Sequence, residues 1–185
     1  MKTTSFFASA AKAAFALAAV VMMSTVFTSC SKDSDDPKPE PKANTVTIDG
    51  VEKPIVKAEY KDEGDGDYSL YLYLSADRQE KVKFELNKDL HITGSPIDLT
   101  KKEKEHDGKW YWSVDYYKPG DTKLINTFGS PGSSTPVFTT GTLTISGSPE
   151  STLNIKLENG RVKDEDGKEH TLAISYSGKM TEKKL

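Results

Sequence analysis

Between Thr45 and Met180 apolar residues recur at every second position, and this period constrains the fold more than any other feature of the chain. Leu70, Leu72 and Leu74 alternate with Ser69, Tyr71, Tyr73 and Ser75, and Val82, Phe84 and Leu86 alternate with Lys81, Lys83 and Glu85. Trp110, Trp112, Val114 and Tyr116 alternate with Tyr111, Ser113, Asp115 and Tyr117, and Leu124 to Phe128 adds a further short apolar run. Successive side chains of a strand point to opposite faces, so each run describes a ribbon with one dry side and one wet side. The runs end in turn chemistry. Val46 and Ile48 lead into Asp49-Gly50, Leu143 and Ile145 into Gly147-Ser148-Pro149, and Leu153, Ile155 and Leu157 into Asn159-Gly160, while Leu172, Ile174 and Tyr176 follow Asp166-Gly167. Asp, Asn and Gly tolerate the left-handed backbone that tight hairpins require. No long segment keeps a 3.6-residue period. The expected fold is therefore all-β: an antiparallel β-sandwich or a flattened β-barrel of about eight to ten short strands, joined mostly as a meander. Two stretches break the rhythm. Leu99 to Gly108 is charged with no apolar residue after Leu99, which predicts a solvated crossing or an exposed helical turn, and Gly129 to Pro136 predicts a mobile loop tip.

The N-terminal stretch is organised differently. Residues 1–29 carry Lys2 and Lys12 as their only charges, then an apolar core from Ala13 through Met23 that is short for a membrane-spanning helix. Small residues follow, and Phe27-Thr28-Ser29 precedes Cys30, the only cysteine of the chain. A positive start, a short apolar core and a small-residue cleavage point are the parts of a secretory signal. The stretch resembles the lipoprotein signal of Bacteroidetes, and the acidic Ser31-Lys32-Asp33-Ser34-Asp35-Asp36 is similar to the export signal that sends such lipoproteins to the outer face of the cell. The resemblance implies lipidation of Cys30 and an outer-membrane, lipid-anchored protein facing the cell exterior. One acyl chain binds a membrane only marginally, whereas a diacylglycerol thioether with an amide-linked third chain holds it in effect permanently. A lipidated Cys30 also leaves no thiol for a disulfide, so the domain must stand on its core.

Residues 30–44 place Pro37, Pro39 and Pro41 among charged residues, which favours an extended tether. The single folded domain is expected over residues 45–182, a length suited to one core. Loss of Lys2 and Lys12 with the signal would make the mature chain more acidic than its formal net charge of −3. Mildly acidic character with interspersed lysines argues against nucleic acid as a partner, and against anionic lipid bound through the surface.

From Leu86 onward the chain resembles a group of uncharacterised Bacteroides surface lipoproteins. The residues that carry the likeness are Leu86-Asn87-Lys88-Asp89-Leu90, Pro96-Ile97-Asp98-Leu99-Thr100, Trp110-Tyr111-Trp112 with Tyr116-Tyr117, Ser146-Gly147, and Asn154-Ile155-Lys156-Leu157 through Ser177-Gly178-Lys179-Met180. It implies location and an all-β domain, and no activity.

The candidate chemistry is sparse. His91, His106 and His170 fall in separate segments without a paired metal-ligand spacing and are expected as scattered surface residues. Asp62 to Asp67 and Asp164 to Gly167 gather oxygen ligands but miss the EF-hand pattern, and are expected as hairpin turns. The expected domain, residues 45–182, lacks GxSxG and SxxK. No catalytic residue, metal or cofactor is assigned, and the expected role is non-enzymatic binding. Its candidate surface is aromatic. If the leucines of the first run and Trp110, Trp112 and Val114 face the core, then Tyr71, Tyr73, Tyr111 and Tyr117 face outward with Asp115 and Ser113 beside them. Such rings stack on sugars while neighbouring hydroxyl and carboxyl groups hydrogen-bond. The same rings also suit a protein contact, the alternative being a structural or adhesive domain of an outer-membrane assembly.

Overall fold

The computed structural model describes residues 43–184. The expected signal segment, Cys30 and most of the tether lie outside the described residues. The described chain forms β1 (Thr45–Ile48), β2 (Val51–Pro54), β3 (Lys57–Gly64), β4 (Asp67–Tyr73) and β5 (Lys81–Asn87), then a helical turn α1 (Lys88–His91) and β6 (Ile97–Asp98). It continues through β7 (Ser113–Lys118), β8 (Thr122–Phe128), β9 (Thr140–Gly147), β10 (Leu153–Lys163), β11 (Glu169–Gly178) and β12 (Thr181–Glu182).

These strands make two six-stranded sheets. The first has the order β2-β1-β11-β10-β9-β6 and the second β12-β3-β4-β5-β7-β8. The sheets stay separate and do not close on one another, so the fold is a sandwich and not a barrel. All pairings are antiparallel except β12 with β3. The expected meander holds for β3-β4-β5 and for β9-β10-β11, while β1 pairs with β11 across nearly the whole described chain. The strands beyond the eight to ten expected are short pieces: β6 and β12 have two residues each.

Local chemistry sets the hairpins. Asp49 and Gly50 have φ of 50° and 79°, and Asp65 and Gly66 have 53° and 82°. Two consecutive positive φ values mark the primed turn, whose twist matches that of its flanking strands. The acidic stretches are therefore turn-builders, and their carboxylates accept from the protein. Asp62 Oδ1 accepts the Gly64 N–H at 2.9 Å, and Asp164 Oδ1 accepts the Lys168 N–H at 2.8 Å.

The core lies between the two inner faces. Leu70, Leu72, Val82, Phe84, Leu86 and Val114 of the second sheet meet Val46, Leu143, Ile145, Ile155, Leu157, Leu172 and Ile174 of the first, all buried. Each such side chain contributes about 1.5–3 kcal/mol relative to exposure. Trp112 is fully enclosed, and a Cβ at Gly129 would stand 2.5 Å from its indole nitrogen, so only glycine fits against that ring.

Two expectations are corrected. Trp110 is only half-buried and lies before β7, because the backbone there turns aside to donate its N–H to Asp67 Oδ1 at 3.0 Å. The Leu99–Gly108 crossing is tied down along part of its length and not simply solvated. Lys102 donates to the carbonyls of Phe128 and Thr135 at 2.6 and 2.5 Å, and Glu103 accepts the Trp112 N–H at 2.9 Å. The loop from Gly129 is pinned at its root by the Gly129 N–H to Trp112 carbonyl bond at 2.8 Å. In both stretches polar side chains and backbone groups do the fastening that apolar residues do elsewhere, and periodicity does not report them.

Candidate functional site

The outer face of the second sheet holds most of the predicted site. Register sets out three rows across β3, β4, β5, β7 and β8: Lys61-Ser69-Glu85-Ser113-Phe128, Glu59-Tyr71-Lys83-Asp115-Asn126, and Lys57-Tyr73-Lys81-Tyr117-Lys123. Rings, cations and carboxylates thus alternate across strands, where side chains directly opposite each other stand about 5 Å apart. The same alternation that sends Leu70, Leu72 and Val114 inward sends these residues out.

The rows are closely knit. Tyr71 and Tyr73, two residues apart on β4, stack with centroids 6.0 Å apart and planes 8° from parallel. Cations lie over the rings: Lys183 Nζ is 4.5 Å and Lys83 Nζ 5.9 Å from the Tyr71 centroid, and Lys81 Nζ is 4.6 Å and Lys123 Nζ 5.4 Å from that of Tyr117. Arg78 sits 5.8 Å from Tyr73. Carboxylates hold most of these cations in turn. Lys83 pairs with Glu85, Lys123 with Asp115, Lys81 with Asp121, and Lys57 and Arg78 share Glu59.

The neighbours decide which residues remain open. Tyr71 and Tyr117 are half-buried, whereas Tyr73 retains only 3% of its surface and Asp115 only 5%, although both face outward. Lysine stems and adjacent rings close over them. Burial, and then Glu59, push the Tyr73 phenol well above its ordinary range. Burial also raises the Glu59 carboxyl, but hydrogen bonds from Lys57 and Tyr73 prevail and hold it below the usual value. At Asp115 burial wins over the Lys123 ammonium at 2.8 Å, and the carboxyl is raised.

Tyr111 belongs to a separate cluster. Its ring stacks on His106 at 4.0 Å and meets Phe128 edge-on at 6.1 Å, with its hydroxyl donating to the His106 carbonyl. The structure therefore brings Tyr71, Tyr73, Asp115 and Tyr117 into one lattice and sets Tyr111 at its margin, just before the start of β7. The lysines over the rings escaped the sequence reading. The signal was there, since Lys81 and Lys83 share parity with the outward side of β5.

The histidines are a further correction: two of the three are buried and paired. His91 Nδ1 accepts the Asn87 N–H at 2.8 Å, which places its proton on Nε2, facing Glu103 Oε1 at 2.8 Å. His170 is 2% exposed and lies between two carboxylates, with Nδ1 2.7 Å from Asp49 and Nε2 3.1 Å from Asp164. Burial alone would lower its pKa, but the two carboxylates outweigh it and hold His170 above its ordinary value. These contacts join residues up to 121 positions apart, beyond the reach of any spacing rule. Among the described residues no group of three or more His, Cys, Asp or Glu is arranged to hold a metal ion.

No protein-family model, curated protein or solved structure shows significant similarity to this chain.

Proposed function

We propose that this chain is a cell-surface lipoprotein, anchored in the outer membrane through Cys30, whose β-sandwich is a non-enzymatic binding module for extracellular polysaccharide. The ligand surface in this reading is the outer face of the second sheet, with Tyr71 and Tyr117 as the rings a sugar chain meets. The supporting observation is where rings are found. Outward positions of β3, β4, β5, β7 and β8 carry Tyr71, Tyr73, Tyr117 and Phe128, whereas outward positions of β1, β9, β10 and β11 carry Thr45, Thr47, Thr142, Thr144, Thr171, Ser146, Ser175 and Lys156. Threonine satisfies the preferences of a strand as well as tyrosine does. Strand formation therefore does not require tyrosine on either face, and its confinement to one face suits recognition.

A second reading has its own observation. Three of the four sheet edges are blunted, β2 by Pro54 in four residues and β6 and β12 by having two residues each, while β8 presents seven. A partner protein that added a strand there would abut the same face.

The test is retention on a polysaccharide array. Wild-type domain should bind at least one polymer, and Tyr71→Ala with Tyr117→Ala should abolish that binding while leaving the fold intact by circular dichroism. A wild-type domain silent on the array, yet recovering a surface protein whose capture depends on β8, would replace the first reading with the second.

A further inference from the structure

Resting on the polysaccharide reading, we infer that the polymer this face takes is anionic, a glycan bearing carboxylate or sulfate groups, gripped where Lys183, Lys83 and Tyr71 meet. The argument starts from the ring faces. Both half-exposed tyrosines have ammonium groups over them, Lys183 and Lys83 on Tyr71, and Lys81 and Lys123 on Tyr117. A neutral sugar that stacked on either ring would first displace a cation and forfeit its attraction to the ring quadrupole. An acidic sugar keeps that attraction, because its anion joins the ammonium and its apolar edge meets the ring beside it.

The charge pattern points the same way. Lys81, Lys83 and Lys123 each have their own carboxylate, in Asp121, Glu85 and Asp115. Glu59 serves both Lys57 and Arg78, and among the described residues Lys183 has no carboxylate within ion-pair distance. Positive charge is therefore in surplus around Tyr71, although the whole chain has a formal net charge of −3. The surplus is local and interleaved with acids. That pattern suits a polymer with its charges spaced one per sugar and disfavours nucleic acid, whose duplex carries a charge about every 1.7 Å.

The geometry favours a polymer over a single sugar. Tyr71 on β4 and Tyr117 on β7 are two strands apart, and Tyr117 lies two residues along β7 from Asp115, the residue in register with the Tyr71 row. With strands about 4.8 Å apart and a rise of about 3.4 Å per residue, the two rings are roughly 12 Å apart. A chain of several sugars spans that distance.

The experiment uses matched polymers: polygalacturonate and its fully methyl-esterified form, and chondroitin sulfate and its desulfated, carboxyl-reduced form. At least one acidic member should bind about tenfold or more tighter than its neutral partner, and should weaken as salt is raised through about 0.15 M, where the Debye length is about 8 Å. Lys183→Ala should weaken that binding several-fold and Lys183→Glu should abolish it, with no change in melting temperature. Equal binding of acidic and neutral partners, or binding indifferent to salt and to Lys183, overturns the inference and leaves the polysaccharide reading standing. Failure to bind any of these polymers while the broad array still shows retention of neutral glycans does the same. Failure on the array as well removes both. Tighter binding to a single-stranded oligonucleotide than to any acidic glycan also overturns it.

Discussion

Across the outer face of the first sheet run Thr45, Ser175, Lys156 and Thr144; across that of the second run Glu59, Tyr71, Lys83, Asp115 and Asn126. Both rows sit on strands of the same period, above the same core. The first is finished mostly in small hydroxyl groups, with Lys156 among them, and of the four only Thr45 is buried. The second is finished in side chains long enough to touch across strands, and these bury one another: Glu59, Ser69, Tyr73, Ser113 and Asp115 all face outward and are all buried. A solvent-side face can thus acquire a packed layer of its own, made of rings, lysine stems and ion pairs. The price of such a layer is desolvation of its charges, which is why Asp115 sits above its ordinary pKa beside Lys123.

The comparison can be sharpened from the inside outward. Trp112→Ala removes a fully enclosed ring and should cost about 3–5 kcal/mol in chemical denaturation. That is a large share of the roughly 5–15 kcal/mol typical of a domain. A loss below about 1 kcal/mol would mean the inner face is not where stability resides.

Tyr73→Ala is the next largest change and tests the outer layer directly. It removes a stacked neighbour of Tyr71, an aromatic partner of Arg78 and a hydrogen bond to Glu59. The expected cost is about 1–3 kcal/mol. Thr144→Ala, the control on the first sheet, should stay within about 0.5 kcal/mol. Equal costs at the two positions would dissolve the distinction between the faces.

A third experiment separates the sheets by pH. His170 clips the β1–β2 turn to β10 and β11 in the first sheet, with a folded-state pKa held above 6.5 by Asp49 and Asp164. Its contribution is therefore fully present below pH 6.5 and is lost as pH rises through the raised value. Asp49 and Asp164 are held below their usual 3.8 chiefly by the hydrogen bonds to His170, so their contribution is lost only as pH falls through those lowered values. Amide exchange in β1 and β11, corrected for the intrinsic pH effect, should quicken as pH rises above 6.5 through the raised His170 value, while β4 and β5 change little. In His170→Gln the alkaline loss should vanish. The same loss in the variant would assign it to another group.

The smallest effect is expected at Tyr71. Tyr71→Ala should cost less than about 1 kcal/mol, because the ring is half-exposed and its packing is cross-strand. A larger cost would make this ring part of the fold and weaken its claim as a ligand surface.

Much of the architecture was legible along the chain. The inward set Leu70, Leu72, Val82, Phe84, Leu86 and Val114 followed from alternation, as did the outward set Tyr71, Tyr73, Asp115 and Tyr117. Asp49-Gly50 read as a hairpin because its chemistry is local. Trp110 misled because the alternation continues for three residues before β7 begins, while the backbone has already left the sheet to serve Asp67 and Glu103. His91 and His170 misled because a histidine's burial depends on acceptors supplied from elsewhere: Glu103 comes from the crossing and Asp49 from the far end of the described chain.

By itself the sequence determined the period, the places where it stops, and so an all-β domain with a defined inner and outer set on each strand. These depend on the backbone geometry of a few adjacent residues, which the chain carries wherever it goes. Only the tertiary structure decided that the sheets stay open as a sandwich, that β1 joins β11, that Tyr73 and Asp115 are closed over while Tyr71 and Tyr117 are not, and that lysines from β5, β8 and the β12 end lie on the rings. Alternation says which way a side chain points. What stands next to it is set by strand order and register, which join residues far apart in the chain through the burial of a shared core.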